Sequence, residues 1–196
     1  MLIYRLLKVA LKFALSLFYK KMIITGREKI PTTGPLLIAV NHPNTLIDPL
    51  IIATLTKQRV GFLGNAGIFI NRLVNAIFRY FHVIPIYRKQ DLKPGQDTDN
   101  RAAFAACHQY LEAGGTLMVF PEGTSYYELK LREIKTGTAR IALSYEQKND
   151  YQGNLQIVPI SLDYADSLQF RTVVSVHVND PIQVADYKEL YEQDEK

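Results

Sequence analysis

The sequence has few of the residues on which covalent cross-links and metal centres depend. Its single cysteine, Cys107, excludes an internal disulfide and a cysteine metal cluster, so a reducing compartment is the default. The four histidines are scattered at positions 42, 82, 108 and 177, and none forms the His-Glu-x-x-His spacing that places two zinc ligands on one helical face. The sequence therefore predicts no metal site.

A long uninterrupted apolar run is also missing. The segment LIYRLLKVALKFALSLFYKK comes nearest to one, but Lys8 and Lys12 interrupt it. A membrane-spanning helix needs about 20 mainly apolar residues, and a signal peptide does not carry lysines inside its apolar region. Because Arg5, Lys8 and Lys12 recur at helical spacing, the segment predicts an amphipathic helix that lies on a membrane surface. The alternative, a helix that packs its wide apolar face on the domain core, stays open.

Acidic residues are absent from the first 27 positions, where six basic residues precede Glu28. The whole chain has a net charge of +4, which by itself fits a membrane, a nucleic acid or an anionic substrate. With 196 residues, of which 47% are hydrophobic, the chain is long enough for one core and short for two. We therefore predict an amphipathic, membrane-associating helix over residues 1–23 and a single domain over residues 24–196.

From position 36 onward, short apolar runs alternate with segments of helical periodicity. The runs that predict strands are LLIAV, RVGFL, VIPIY, TLMVF, LQIVPISLDY and FRTVVSVHV. The segments that predict helices are DPLIIATLTKQ, IFINRLVNAIFRYF, DNRAAFAACHQYLEAGG and KTGTARIALSYEQ. This alternation predicts an α/β fold with a largely parallel central sheet flanked by helices, preceded by the N-terminal amphipathic helix. FRTVVSVHV alternates apolar and polar residues as an edge strand does, and residues 88–100 predict a polar surface loop.

A histidine and an aspartate follow the first predicted strand. His42 and Asp48 are six positions apart, with Asp48 at the predicted N-cap of the next helix. The carboxylate can accept from one ring nitrogen of His42 and leave the other nitrogen free to remove a proton from an alcohol. The alternative is that Asp48 is only a helix cap and His42 an ordinary loop histidine.

Other candidate residues follow later strands, at the edge where α/β sheets bind ligands. In FPEGTS, Gly123 permits close backbone approach, Thr124 can donate to anionic oxygens, and Glu122 needs a donor as its partner. Arg88 closes a strand, where a guanidinium can bind phosphate, and Lys135 precedes a helix whose first amides can bind an anion. Each has an ordinary alternative, such as a Pro-Glu-Gly turn or a solvated arginine.

In this order, the motifs resemble the 1-acylglycerol-3-phosphate and glycerol-3-phosphate O-acyltransferases over roughly residues 24–181. NHPNTLID resembles the family's first block, N-H-x4-D, and GFLGNAGIFINRLVNAIFRYFHVIPIYR resembles the second. FPEGTS is similar to the third block, F-P-E-G-T-R-S, and IVPISLDY to the fourth. Three features depart from the pattern: five residues separate His42 from Asp48, Asn65 replaces a common lysine, and Ser125 directly follows Thr124 where an arginine is usual.

The resemblance implies that His42 is the catalytic base and Asp48 its orienting partner. It implies the transfer of a fatty acyl group from acyl-CoA or acyl carrier protein to the hydroxyl of a phosphate-bearing acceptor such as 1-acylglycerol-3-phosphate, in phospholipid biosynthesis. The thioester is then a co-substrate, and no cofactor is expected. The expected substrate-binding residues are Arg88, Glu122, Gly123, Thr124 and Lys135.

The expected surroundings of such an enzyme are the cytoplasmic face of a membrane, the two substrates and, for one donor, acyl carrier protein. No nucleic-acid partner is expected. Glycerol-3-phosphate acyltransferase, amino-acid-lipid acyltransferase, lipid hydrolase and non-catalytic lipid-binding module stay open as alternatives. A hydrolase would use water in place of the alcohol, whereas a binding module would need no oriented base.

Overall fold

The computed structural model describes residues 2–88, 99–125, 130 and 132–194. The α-helices in these residues are α1 (Leu2–Phe18), α2 (Ile47–Leu55), α3 (Arg72–Tyr80), α4 (Arg101–Glu112), α5 (Gly137–Lys148) and α6 (Lys188–Asp194). The strands are β1 (Lys21–Thr25), β2 (Leu36–Val40), β3 (Val60–Asn65), β4 (Val83–Ile86), β5 (Thr116–Val119), β6 (Gln156–Tyr164), β7 (Val173–Val178) and β8 (Ile182–Gln183). Most of the predicted surface loop, residues 89–98, lies outside the described residues.

The strands form one sheet in the order β1-β7-β6-β2-β5-β3-β4, and β8 pairs with β6. Strands β2 to β6 run parallel to one another where they pair. Strand β7 is antiparallel to β6, and β1 is parallel to β7. The predicted α/β fold, with a largely parallel sheet flanked by helices after an N-terminal helix, is confirmed.

Three elements differ from the sequence prediction. Strand β7 is not at the edge of the sheet, because β1 pairs along its outer side. Strand β1, KMIIT, was not predicted, since most of its side chains are exposed and it has no alternating pattern. The predicted helix IFINRLVNAIFRYF begins only at Arg72, after a short 3-10 turn at Ala66–Ile68.

Two hydrophobic cores lie on the two faces of the sheet. In β2, Leu36, Ile38 and Val40 belong to the core under α1 and α2, whereas Leu37 belongs to the core under α4 and α5. Successive strand residues point to opposite faces, so a strand covered on both faces is apolar at every position. This is why LLIAV shows no alternation, and why it lies at the centre of the sheet.

Helix α1 contacts the first core through a narrow stripe. Leu15 and Tyr19 are buried in that core, and Nζ of Lys8 donates to the backbone oxygens of Thr56 and Gln58, at 2.7 and 3.1 Å. Lys8 therefore faces the domain and not a lipid headgroup. The exposed side of the helix is mostly apolar and includes Ile3, Leu6, Val9, Phe13 and Leu17.

The alternative of a core-packing helix thus describes one stripe of α1, while the wide apolar face stays outside. The predicted division between residues 23 and 24 falls within β1, so the helix runs directly into the sheet. Among the described residues, no helix has both the length and the apolar character needed to cross a bilayer.

Candidate active site

His42 and Asp48 lie together just beyond the carboxyl end of β2. Nδ1 of His42 is 2.9 Å from Oδ2 of Asp48, and the Phe120 ring stacks on the imidazole with the ring centroids 3.7 Å apart. Because a carboxylate only accepts hydrogen bonds, Nδ1 carries the proton and Nε2 is the acceptor of the neutral ring. The arrangement can remove a proton from a hydroxyl group placed at Nε2.

Asp48 is fully buried and surrounded by donors. Besides the bond from His42, Oδ2 accepts from the backbone nitrogen of Asn44 at 2.6 Å, and Oδ1 accepts from the Tyr164 hydroxyl at 2.5 Å. Three donors thus satisfy a carboxylate that has no contact with solvent. The predicted N-cap role of Asp48 is wrong, because α2 begins at Ile47 and the carboxylate bonds the preceding loop.

Two asparagines fix the loop that carries His42. The side chain of Asn41 exchanges two hydrogen bonds with the backbone of Leu162 in β6, at 2.8 and 2.7 Å. Nδ2 of Asn44 donates to the backbone oxygen of Ser167 at 3.0 Å. These bonds hold the loop between β2 and α2 in a turn that absorbs the extra residue of the histidine-aspartate spacing.

Glu122 hydrogen-bonds the backbone of two segments at the site. Its side chain is buried, with Oε1 accepting from the backbone nitrogen of His42 at 3.1 Å and Oε2 from that of Arg132 at 3.3 Å. The carboxylate therefore joins the loop after β2 to the segment before α5. Both of these donors are backbone nitrogens, and the predicted contact of Glu122 with the acceptor stays a prediction.

Gly123 lets two cationic side chains approach the backbone after β5. Its φ of 73° lies in the left-handed region, and a Cβ at this position would stand 3.0 Å from Nζ of Lys135. Nη1 of Arg88 donates to the backbone oxygen of Gly123 at 3.1 Å. The structure thus brings Arg88, Gly123, Thr124 and Lys135 together with His42 in the lining of one cavity.

This cavity has a volume of about 990 Å³ and two chemically different parts. Its polar part presents cations and hydroxyl groups from Arg88, Lys135, Arg140, Thr124 and Ser125. Its apolar part comes from α1, α2, α3 and β3 and includes Leu11, Leu50, Ala53, Phe62, Ile77 and Phe78. A cavity of this kind can hold a molecule with an anionic head and a hydrocarbon tail.

Three residues of the site were not predicted from the sequence: Tyr164, Asn44 and Arg140. Tyr164 ends LQIVPISLDY, and the only signal for it is that a tyrosine on the buried face of a strand needs a partner for its hydroxyl. Arg140 lies in the first turns of α5 and lines the cavity, where it supplies a further cation in the part of the fold that lacks the family's usual arginine. Nothing in a helical pattern separates such an arginine from an ordinary surface residue.

Cys107 lies outside this site. It is buried in the core under α4 and α5, and burial raises the pKa of its thiol to about 12. Within the described part of the chain, no three metal-binding side chains form a group that could hold an ion. The polar side chains in the cavity lining include His42, the hydroxyl groups of Thr124 and Ser125, and the cations of Arg88, Lys135 and Arg140.

A sequence-family model described as Acyltransferase matches residues 21–163. The chain belongs to the acyltransferase family. The matched region contains both members of the histidine-aspartate pair and FPEGTS, so the predicted enzyme class, an acyltransferase, is confirmed. The predicted resemblance to glycerolipid acyltransferases agrees with the relatives of the chain.

Among these relatives is 1-acyl-sn-glycerol-3-phosphate acyltransferase LPAT1, chloroplastic, of Arabidopsis thaliana, which is 25% identical over 74% of this chain and 36% of that protein. Glycerol-3-phosphate O-acyltransferase 1 of Saccharomyces cerevisiae is 29% identical over 44% of this chain and 11% of that protein. This chain thus spans well under half the length of these two curated relatives.

A solved structure has the same fold. The crystal structure of the 1-acyl-sn-glycerophosphate (LPA) acyltransferase, PlsC, from Thermotoga maritima superimposes with a TM-score of 0.67 and 19% sequence identity. The superposition covers 96% of this chain and 76% of that chain, so the likeness includes the N-terminal helix as well as the sheet.

Proposed function

We propose that this acyltransferase moves a fatty acyl group from a thioester, acyl-CoA or acyl carrier protein, to the hydroxyl of a phosphate-bearing glycerolipid such as 1-acylglycerol-3-phosphate. The observation that carries the proposal is the position of the oriented His42 in a cavity that is cationic in one part and apolar in another. A phospholipid precursor has these same two parts, with its reacting hydroxyl between them.

The chemical step needs one base and no covalent intermediate. His42 Nε2 takes the proton of the acceptor hydroxyl as its oxygen attacks the thioester carbonyl carbon. The carbon-sulfur bond then breaks, and the proton held by His42 goes to the departing thiolate. The buried Asp48 stabilises the imidazolium that forms between these two proton transfers. Such general-base assistance contributes about 10²–10⁴-fold, so binding both substrates in line must supply much of the rest.

The polar part of the cavity suits the acceptor phosphate. Arg88 and Lys135 approach the backbone of Gly123 from two sides, and the Thr124 hydroxyl belongs to the same lining. A guanidinium offers a planar pair of donors to phosphate, while an ammonium adds a compact charge. Arg140 adds a cation on α5. This set supports binding of the phosphate close to His42.

Two alternative nucleophiles are poorly placed. The hydroxyl of Ser125 is hydrogen-bonded to that of Thr45. Cys107 is fully buried and its thiol pKa is raised, which leaves little thiolate at neutral pH. Both observations favour direct transfer over an acyl-enzyme or a serine hydrolase mechanism.

The membrane position of the enzyme is part of the same proposal. Both substrates carry hydrocarbon chains, and the exposed apolar face of α1 is bordered by Arg5 and Lys12. An apolar face beside basic residues favours the surface of an anionic membrane, here the cytoplasmic leaflet. The same helix contributes Leu7 and Leu11 to the cavity lining, which brings the membrane contact next to the acyl site.

The experiment that tests the function is a product analysis. Purified protein is incubated with labelled acyl-CoA or acyl carrier protein and with a panel of acceptors: lysophosphatidate, glycerol-3-phosphate, an amino-acid-linked lipid and none. We expect an acylated phosphoglycerolipid and little free fatty acid when the preferred acceptor is present. Equal release of free fatty acid with and without every acceptor would make the protein a hydrolase.

A further inference from the structure

We propose that α3, together with Ile70 before it, is a second contact with the anionic membrane, across the cavity mouth from α1. This inference builds on the proposed use of membrane lipids as substrates. It adds a docking element to the enzyme and fixes which side of the cavity opens to the lipid.

The first observation is an apolar stripe that no described part of the chain covers. Ile70 and Leu73 are 75% and 71% exposed, and Ile77, one turn further along α3, is 46% exposed. Leu73 and Ile77 are four residues apart and lie on one side of the helix, and Ile70 lies just before the N-cap residue Asn71. Val74 and Phe78 occupy the neighbouring, less exposed side, so α3 is apolar toward the domain and toward the outside. A soluble surface helix has only the first of these two apolar sides.

The second observation is the sign of the charge around this stripe. The sequence has no acidic residue between Asp48 and Asp91, and α3 itself carries Arg72 and Arg79, both exposed. Residues 1–27, which contain α1, form the next longest segment without acids. A segment that combines exposed aliphatic side chains with arginines and has no acids is complementary to anionic lipid.

The third observation is that α3 and α1 approach the same opening. Arg59 lies over the ring of Tyr4 in α1 and over that of Tyr80 in α3, at 5.3 and 5.1 Å from the ring centroids. Each exposed stripe has one half-exposed member in the cavity lining, Leu7 from α1 and Ile77 from α3. A membrane that touches both stripes therefore covers the mouth of the cavity, and an acyl chain can enter it without crossing water.

Leu46 and Leu50 make this opening apolar as well. They are 76% and 42% exposed at the start of α2, and both line the cavity. Isolated surface leucines are common, but these two line the same cavity as Leu7 of α1 and Ile77 of α3. The opening is thus apolar where the membrane is proposed to lie, and His42 lies deeper in the same lining.

The test compares the double substitution Ile70→Gln with Leu73→Gln against the matched control Leu190→Gln in the full chain. Neither Ile70 nor Leu73 lines the cavity, and Leu190 is a leucine of similar exposure, 64%, on α6. Glutamine removes apolar surface without changing the net charge. Binding is measured by co-sedimentation with phosphatidylcholine vesicles, with and without phosphatidylglycerol.

We expect the double variant to bind the anionic vesicles about tenfold more weakly, since interfacial binding scales with the apolar area that is inserted. The Leu190→Gln control keeps the binding of the unmodified protein. Transfer to a vesicle-borne acceptor should fall in parallel, while transfer between short-chain, monomerically soluble substrates stays unchanged.

Binding equal to that of the unmodified protein overturns the inference, even if Phe13→Gln in α1 abolishes binding. A change from dimer to monomer in the double variant also overturns it, because a second copy of the chain then covers α3. Vesicle binding is measured independently of activity. Failure of acyl transfer with every substrate would therefore refute the proposed function, while the vesicle-binding result alone would decide the docking proposal.

Discussion

The residues around His42 divide the work of one proton transfer among several parts of the chain. Asp48 bonds Nδ1, Glu122 bonds the backbone nitrogen of His42, and Phe120 covers the face of the ring. The Asp48 contact fixes the tautomer of the imidazole, the Glu122 contact fixes the loop backbone, and the Phe120 contact fixes the plane of the ring. Tyr164 then donates to Oδ1 of Asp48, so the orientation of the base depends on a residue 116 positions beyond Asp48 in the sequence.

The first prediction concerns the pair itself. His42→Ala should lower kcat by about 10²–10⁴-fold, because the acceptor hydroxyl loses its base. Its folding should be unchanged, which circular dichroism and Tm measurements check. Asp48→Asn should lower kcat as well, at a cost of about 1–3 kcal/mol in stability, since an amide cannot accept from all three donors. Near-normal turnover of the His42 variant would remove the proposed mechanism.

The second prediction assigns Tyr164 a positioning role. Tyr164→Phe deletes the donor to Oδ1 of the buried Asp48 and keeps the ring. Without this donor, the Asp48 carboxylate is held less firmly and orients the His42 ring less well. We therefore expect kcat to fall about tenfold, while KM changes little.

Tyr145→Phe is the matched control for this measurement. Tyr145 is also a buried tyrosine, but it lies in the core on the other face of the sheet. Its variant should keep the kcat and the KM of the unmodified protein. A Tyr164 variant that loses stability but keeps kcat would show that Tyr164 has a structural role only.

The third prediction concerns the acceptor phosphate. Arg88→Ala should raise KM for a phosphorylated acceptor by about 10–100-fold, as expected for the loss of a charged hydrogen bond of about 1.5–3 kcal/mol. Arg88→Lys should restore only part of this, because lysine lacks the planar pair of donors. An acceptor without phosphate serves as the control and should be used equally well by all three proteins. If KM for the phosphorylated acceptor does not change, another cation binds the phosphate.

How much of this site the sequence predicts depends on how local each contact is. His42 and Asp48 are six positions apart and follow a recognisable strand, so their pairing is visible in the sequence. The contacts of Glu122 are not visible in the sequence, because its partners are the backbone nitrogens of His42 and Arg132, and a backbone group has no sequence pattern of its own. Tyr164 is hidden for a different reason, since its meeting with Asp48 depends on the pairing of β6 with β2.

At the scale of single elements, α1 combines two contacts that the sequence analysis treated as alternatives. Its buried stripe joins the core through Leu15, and its exposed face keeps Phe13 and Leu17 outside. A helical pattern rich in leucine and phenylalanine on most sides cannot show which side meets protein. The structure distinguishes them, since the core side also carries Lys8, bonded to backbone oxygens beyond the end of α2.

The fourth prediction separates these two sides of α1. Leu15→Ala should lower the free energy of unfolding by about 2–5 kcal/mol, because it leaves a cavity in the core. Phe13→Gln should change it by no more than about 0.5 kcal/mol, since Phe13 is 65% exposed. Urea unfolding measures both. Vesicle co-sedimentation should give the reverse order, with the larger loss in Phe13→Gln, and a large loss of stability in that variant would place Phe13 in the core.

The strands that are buried on both faces were predicted, whereas the exposed strand β1 was not. LLIAV and TLMVF are wholly apolar because helices cover both sides of the sheet there. KMIIT forms β1 because it pairs with β7 along five residues. Its own sequence shows no burial pattern that would distinguish it from a loop. The helix predicted over IFINRLVNAIFRYF is longer than α3, because Ile68 and Ile70 continue the apolar pattern although both are exposed and lie outside the helix.

At the scale of the whole molecule, the sheet brings the residues of the site together at one edge and separates the two hydrophobic cores on its two faces. The loops after β2 and β5 carry His42 and FPEGTS, and these strands are neighbours although 80 residues separate His42 from Glu122. Parallel neighbours end at the same edge, which is why distant motifs form one cavity. Cys107, in the core under α4 and α5, lies outside the cavity lining, so its thiol reports on the integrity of the fold.

The fifth prediction uses that thiol. Burial raises the pKa of Cys107 from the usual 9.0 to about 12, so the folded protein keeps a proton that the unfolded chain releases. The stabilising contribution of the neutral thiol is complete below pH 9 and is lost as the pH rises toward 12, by about 1.4 kcal/mol per pH unit. Lys8 acts in the opposite sense from about pH 8, because burial lowers its pKa, so the raw slope mixes both groups.

Comparison with Cys107→Ala isolates the thiol, since Lys8 and the tyrosines are common to both proteins. Urea unfolding between pH 7 and pH 11 should give a constant difference in the free energy of unfolding up to about pH 9, with the unmodified protein the more stable. Above that pH the difference should shrink by about 1.4 kcal/mol per unit and approach reversal. A difference that stays constant to pH 11 would mean that the thiol titrates alike in both states, and that α4 does not seal this core.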